Sequence, residues 1–212
     1  MTNEAQLPMM KNMLNSALKS GWDMSLFHCY ILGSQKEAAS YGTTEFKTIT
    51  IRKLEVILHN MLLDSEIIWI DNDIVLFQNC VEHLRSKPGD FVMQDDIWSP
   101  CTGFFLARKT PLALSKIKNS IRWLISKLGQ PVNDQHAFTA VSQSFPRATI
   151  TLLDRAQYPN GEIYFNQKIT AHAKMVHCNY LTKTDEKVVR LKDHGFWDES
   201  DEAFTKVNIH HI

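Results

Sequence analysis

Apolar positions recur at helical spacing in "PMMKNMLNSALKSG", with Gly21 as a stop, and again in "IRKLEVILHNMLLD". In the second stretch Ile51, Leu54, Leu58, Met61 and Leu62 share one face, and Thr50 is placed to cap it. Between the two, "MSLFHCYILG" is an apolar run of the kind that forms a strand covered on both faces. A further run, "EIIWIDNDIVLF", precedes a predicted short helix ending near Lys87. "GDFVMQDD" and "TGFFLARK" read as strands. "PLALSKIKNSIRWLISKLG" reads as a long amphipathic helix opened by Pro111 and ended by Gly129. "NDQHAFTAVSQSF" is another helix, with Asn133 as its cap. The last third predicts strands in "ATITLLD", "EIYFN" and "AKMVHCNY", then a polar helix, "TDEKVVRLKDHG". Strand–helix alternation, with more strand towards the end, predicts a three-layer α/β sandwich around a mostly parallel sheet. Such sheets take ligands at the carboxyl ends of their strands, and Asp71 falls where "IIWI" runs out.

At 212 residues the chain suits one sizeable core, so a single domain is expected over 1–212. Two halves are expected within it, about 1–96 and a more strand-rich 97–212. Apolar content of 44% and charged content of 22% are those of an ordinary soluble globular protein. Lys plus Arg and Asp plus Glu balance at 23 each, so no bulk field invites nucleic acid or an anionic membrane, and an anionic ligand must be met locally. No apolar run is long enough for a transmembrane helix, and "MTNEAQLPMMKNML" is too polar for a secretory signal. Cys29, Cys80, Cys101 and Cys178 are far apart without a CxxC, which fits free thiols in a reducing, cytoplasmic compartment better than zinc ligation.

Eight of the twelve residues in "EIIWIDNDIVLF" are apolar, yet Asp71 and Asp73 sit near its middle. If the strand continues through Asn72, the two carboxylates project on the same side, about 6–7 Å apart, and their repulsion calls for protonation or a cation. Hard oxygen ligands suit Mg²⁺ or Mn²⁺. Three readings stand: a solvated strand-end turn, a phosphatase with a nucleophilic first Asp, and a nucleotide-sugar site whose carboxylates hold a metal on a diphosphate.

Six segments in order, "LDSEIIWIDNDIVLF", "DFVMQDD", "CTGFFLARKT", "NDQHAF", "YPNGEIYF" and "MVHCNY", resemble the nucleotide-diphospho-sugar transferase family. Each is weak alone; the ordered set, spanning roughly Lys53 to Trp197, is specific. The compact form also resembles the capsid-modifying glycosyltransferase domains of large algal viruses, which would place the chain in host cytoplasm. The resemblance implies a GT-A fold, with a nucleotide-binding half over about 1–96 and an acceptor-side half over about 97–212. It also implies transfer of a sugar from a UDP-sugar, with Mn²⁺ or Mg²⁺, to a glycan or glycoprotein acceptor, with retention at the anomeric carbon. Two departures stand out. The opening strand that helps hold the base is nearly absent around Thr2 to Glu4, and the membrane anchor of most cellular relatives is missing, as in one domain of a longer protein.

The resemblance also assigns residues. Asp73 is the expected direct metal ligand, Asp71 serves the metal, its water or the ribose, and His177 is the third ligand. Lys187 and Asn179 belong with the donor diphosphate, and Lys53 lies near the donor. Asp95, favoured over Asp96, faces sugar hydroxyls or the acceptor. Gly103 lets backbone approach the ligand, although a strand-bulge glycine explains it equally well. Asp134 and Gln135 face the reacting sugar. Simpler accounts stand beside these: a core histidine at His177, solvated lysines at Lys53 and Lys187, and capping at Asn133. Trp98, Tyr158 and Trp197 are stacking candidates that packing would also explain, and His210 and His211 read as a frayed tail. The rival functions are a haloacid-dehalogenase-type phosphatase, whose small residues after the Asp pair are replaced here by "IVLF", and a carbohydrate-binding scaffold that has lost catalysis.

Overall fold

The computed structural model describes residues 1–33, 43–127 and 129–212. In chain order the strands are β1 (Thr2–Asn3), β2 (His28–Leu32), β3 (Glu66–Ile70), β4 (Ile74–Leu76), β5 (Phe91–Asp95), β6 (Pro100–Arg108), β7 (Ile150–Leu152), β8 (Met175–His177) and β9 (Asn208–His211). The helices are α1 (Leu7–Lys19), α2 (Thr44–Leu63), α3 (Val81–Arg85), α4 (Pro111–Ser126), α5 (Asp134–Ser142) and α6 (Thr184–Asp193). These form a mixed α/β architecture in two compact units whose chain segments interleave.

The first unit takes the described residues up to Gly33, with Asp71–Cys80 and Arg155–Ile212. Its strands β1, β2 and β9 are parallel, in that order, with Thr2 opposite Ile31 and Tyr30 opposite His210. The opening strand is thus present but only two residues long. β4 and β8 pair antiparallel, with Ile74 opposite His177 and Leu76 opposite Met175. Met9 of α1, Val75, Val176, Phe165, Cys178 and Leu191 of α6 close one apolar cluster behind that ribbon. Burying such side chains contributes roughly 1.5–3 kcal/mol each.

The second unit takes the described residues from Thr43 to Ile70 and from Val81 to Asp154. Its sheet runs β3-β6-β5-β7, with β6 antiparallel to both neighbours and β7 parallel to β5. Phe91, Phe104, Phe105 and Leu106 are fully buried in that sheet, and Phe138 of α5 meets Phe91 edge-on at 5.1 Å. Thr110 caps α4 by accepting from Ala113 N at 3.1 Å, so Pro111 opens the helix as its lack of an N–H predicts. Leu128, in the expected last turn, lies outside the described residues.

Several elements differ from the sequence pattern. "EIIWIDNDIVLF" is not one strand: β3 pairs with β6, the chain turns at Asn72–Asp73, and β4 then pairs with β8. Thr50 lies inside α2, where its hydroxyl donates to Lys47 O; Thr43 is the cap, accepting from Phe46 N at 3.2 Å. "MSLF" forms a 3₁₀ turn capped by Asp23, so that strand starts only at His28. "EIYFN" is a π-helical turn, Glu162–Asn166, because Asn160 folds it back: its Oδ1 accepts from Ile163 N and its carbonyl from Tyr164 N, both at 3.0 Å. The tail is ordered as β9 through its pairing with β2, with His210 stacked on Tyr30 at 4.8 Å. No helix among the described residues is long and apolar enough to cross a membrane.

Candidate functional site

The β4–β8 register builds the cluster in the first unit. Asp73 immediately precedes β4, and Ile74 faces His177, so the aspartate meets the end of β8. Cys178 N donates to Asp73 O at 2.8 Å, which fixes the aspartate backbone beside the strand. Its carboxylate then has two partners: His177 Nε2 lies 3.1 Å from Oδ1, and Lys187 Nζ of α6 donates to Oδ2 at 2.6 Å. Burial alone would push the Asp73 carboxyl up, but the lysine and histidine hold it well below the usual carboxylate range. Lys187 is correspondingly raised: burial works against its charge, and Asp73 overrides it. Lys187, expected from the sequence either at the donor diphosphate or as a solvated lysine, is therefore the counter-charge of Asp73. Behind the cluster, burial followed by Asp73 pushes the Cys178 thiol up to about 12, and the thiol is neutral at physiological pH. All four cysteines are buried and free of disulfides.

Asp71, Asp73 and His177 each offer a ligand atom, and these atoms lie within 4.8 Å of one another. Ligands across a Mg²⁺ ion stand about 4.2 Å apart, so the cluster has the size such an ion needs. Two carboxylates and an imidazole also match the donor preference of Mn²⁺. The residues fit a divalent cation. Strand continuation through Asn72, expected from the sequence, is not what brings the carboxylates together; the turn at Asn72–Asp73 is.

The "YPNG" segment supports this cluster through its backbone, which the sequence reading did not anticipate. His177 N donates to Pro159 O at 3.2 Å, and Gly161 N donates to Asn179 Oδ1 at 2.9 Å. A Cβ on Gly161 would lie 2.4 Å from Asn179 O, so only glycine lets the two backbones approach. Tyr180, three residues after His177, is held in the left-handed region at φ 63°.

In the second unit the structure brings together a different set. Asn133 caps α5 with a reciprocal His136 contact, leaving Asp134 in the first turn, directed at Lys53. Lys53 Nζ lies 2.9 Å from Asp134 Oδ2, as a charge contact without hydrogen-bond geometry, and 5.6 Å from the Trp69 ring centre. Both members are buried. Gln135 Nε2 donates to Asp96 Oδ2 at 3.2 Å and to Ser99 Oγ at 2.9 Å, while Asp95 Oδ1 accepts from Ile97 N at 3.0 Å. Gly103 is buried in the stretch of β6 where the register with β5 slips between Met93 and Asp95, and its N–H donates to Cys101 Sγ. Of the stacking candidates, Tyr158 is fully buried and has no face for a ligand. Trp197 packs beside the Leu191 cluster with Lys192 over its ring, and Trp98 stands exposed.

Comparison with known proteins finds sugar transferases. A UDP-galactose:fucoside alpha-3-galactosyltransferase of Dictyostelium discoideum is 25% identical over 198 residues, which is 79% of this chain and 30% of that protein. A UDP-D-xylose:L-fucose alpha-1,3-D-xylosyltransferase of Arabidopsis thaliana is likewise 25% identical over 198 residues, covering 79% of this chain and 54% of the plant protein. The chain thus spans between about a third and about half of the length of these relatives. Among solved structures, a glycosyltransferase involved in the glycosylation of the major capsid of PBCV-1 superposes with TM-score 0.59 at 16% identity, covering 90% of this chain and 97% of that one. The bifunctional glycosyltransferase WbbM superposes with TM-score 0.62 at 11% identity over 97% of this chain and 50% of its own. At such identities the structural likeness establishes a shared GT-A fold. The family match itself spans residues 9–191, and the chain belongs to the nucleotide-diphospho-sugar transferase family.

Proposed function

We propose that this chain is a metal-dependent glycosyltransferase that takes a UDP-sugar and passes the sugar to a glycan or glycoprotein acceptor with retention. The observation that carries this reading is the convergence of Asp71, Asp73 and His177 within 4.8 Å, with Lys187 on the same carboxylate. Breaking the bond between an anomeric carbon and a diphosphate builds negative charge on the leaving oxygen, and a divalent cation held by these three residues supplies its neutralisation. Asp73 and His177 would be direct ligands, with Asp71 shared between ion and ribose. Lys187, held on Asp73, would add positive charge for the diphosphate, and Asn179, tied to Gly161, holds the loop that follows His177. In the second unit Asp134, oriented by Lys53, and Gln135 serve the transferred sugar ring, with Asp95 facing the acceptor and Gly103 allowing close backbone approach.

The relatives' names support a fucose-bearing acceptor as the first to test. Their α-linked products support retention. The family assignment displaces the phosphatase alternative, and a scaffold without catalysis is separated by assay. UDP with Mn²⁺, at about 100 times its dissociation constant, should stabilise the protein by roughly 2.7 kcal/mol in thermal unfolding, and UDP without metal by much less. UDP-galactose or UDP-xylose should be slowly hydrolysed in the presence of Mn²⁺. Absence of both the stabilisation and the hydrolysis, across a panel of nucleotide sugars, removes the proposal.

A further inference from the structure

Trp98 is 87% exposed, more than any other large hydrophobic residue among those described. It stands at the tip of the hairpin that joins β5 to β6, on the Asp96–Ser99 turn. The residue before it, Ile97, has φ 69°, a left-handed conformation in which a β-branched side chain is a steric outlier. Turn chemistry alone would put glycine, asparagine or aspartate at such a position.

The turn is nonetheless firmly built. Ile97 N donates to Asp95 Oδ1 at 3.0 Å, Trp98 N to Asp96 O at 2.7 Å and Asp96 N to Ser99 O at 3.1 Å. Gln135, from the first turn of α5, straps it from outside through Asp96 Oδ2 and Ser99 Oγ. These bonds hold a strained backbone whose product is an indole presented to solvent. Strain kept in place by surrounding bonds is characteristic of ligand-binding positions. A flat aromatic face of this kind suits the C–H face of a pyranose ring, which it desolvates without needing a charged partner.

Charge decides which sugar. Asp95 and Asp96 lie three and two residues before Trp98 and anchor the same turn. Carboxylates accept hydrogen bonds from sugar hydroxyls. They also repel the diphosphate of a nucleotide sugar. The turn therefore suits a neutral, polyhydroxylated ligand and disfavours the anionic donor. We infer that Trp98 is the platform on which the acceptor's pyranose ring stacks, with Asp95 and Asp96 beside it for the ring hydroxyls. This rests on the glycosyltransferase reading above and adds to it a specificity-determining residue on the acceptor side.

The test compares the wild-type chain with Trp98→Ala and Trp98→Phe, against a panel of methyl glycosides that includes methyl α-L-fucoside. Saturation-transfer NMR on these sugars, which needs no turnover, should show transfer to the ring C–H protons of at least one of them. That signal should vanish in Trp98→Ala and persist, weakened, in Trp98→Phe. In transfer assays Trp98→Ala should raise the acceptor KM at least 10-fold. Its affinity for UDP with Mn²⁺ and its rate of UDP-sugar hydrolysis should stay within twofold of wild type. Sugar binding that survives Trp98→Ala, or that appears for no glycoside of the panel, overturns the inference. So does a parallel loss of UDP affinity, which would make Trp98 a donor contact. Failure of the glycosyltransferase reading shows differently: the wild-type chain itself would neither bind UDP nor hydrolyse a UDP-sugar, and the NMR arm would still decide whether Trp98 holds a sugar.

Discussion

Asp73 in the first unit and Asp134 in the second are both buried carboxylates beside a lysine, and they differ in what else shares the place. Asp134 faces Lys53 at 2.9 Å. Asp73 holds Lys187 at 2.6 Å and His177 at 3.1 Å, with Asp71 close by. In the second unit one ammonium stands against the buried carboxylate. In the first, an ammonium and an imidazole that can act as a ligand both point at the Asp73 oxygens, with a second carboxylate within reach. A buried carboxylate is costly unless positive charge meets it. The company each aspartate keeps, a lysine alone or a lysine with an imidazole and a second acid, makes the first unit the candidate metal site.

The sharpest way to break this comparison is to neutralise each aspartate in turn. Asp73→Asn should abolish the Mn²⁺-dependent affinity for UDP and lower turnover by 10³-fold or more, about 4 kcal/mol of transition-state stabilisation. Asp134→Asn should leave UDP affinity within about twofold, a difference under roughly 0.5 kcal/mol, yet slow sugar transfer by about 10²-fold. Titration of UDP by calorimetry beside initial-rate assays reads both. Equal loss of UDP affinity in two folded variants would erase the distinction between the sites.

A second test uses stability. Lys53→Met strands the buried Asp134 charge and should cost about 3–4 kcal/mol in denaturant unfolding. Lys53→Met with Asp134→Leu should recover most of that, because an apolar pair of similar volume substitutes well for a buried ion pair. The matching double change at Lys187 and Asp73 should rescue stability without restoring UDP binding. If the Lys53 and Asp134 changes are merely additive, the pair is not coupled as the 2.9 Å contact requires.

The smallest effect concerns pH. Asp73 has a folded pKa below its unfolded value, so its contribution is present above about pH 4 and lost as the pH falls through the folded pKa. Lys116 is the opposite case. It is enclosed by Phe91, Phe138 and Phe145, with its Nζ 5.6, 5.3 and 5.0 Å from the ring centres, and hydrogen-bonds Thr149 at 3.2 Å. Burial pulls its pKa down to about 8, with Asp90 only partly opposing. The folded state therefore binds this proton less well than the unfolded one, and the penalty is fully present below pH 8. Lys116→Met should be more stable than wild type there by roughly 1–3 kcal/mol, with the gap closing between pH 8 and about 10.5. A gap independent of pH in thermal unfolding would mean that the aromatic rings, not desolvation, set this lysine's charge.

Much of this architecture could be read from local pattern. α1, α4, α5 and α6 fall close to where apolar spacing, Pro111, Asn133 and the polar run after Thr184 put them, since capping and amphipathic spacing are short-range effects. The Asp71–Asp73 pair stood out because charge inside an apolar run is costly wherever it occurs. Local pattern failed where a long-range partner decided the conformation. "EIYFN" alternates like a strand but is turned into a π-helix by Asn160, and the "IHH" tail looks frayed until β2 pairs with it.

By itself the sequence offered the candidates for the chemistry: two acids at a strand end, a late histidine, an acid at a helix start. It also determined the family, because six short motifs in a set order survive large changes between them. Only the tertiary structure decided the pairings. Lys187 reaches Asp73 across 114 residues of chain, and Lys53 is taken by Asp134, because strand register and helix placement set which charges meet. Hydrophobic period records which face of an element is buried, but it carries no information about which distant charge will be waiting there. That is why a lysine with no distinguishing local context turns out to balance the most conspicuous carboxylate in the chain.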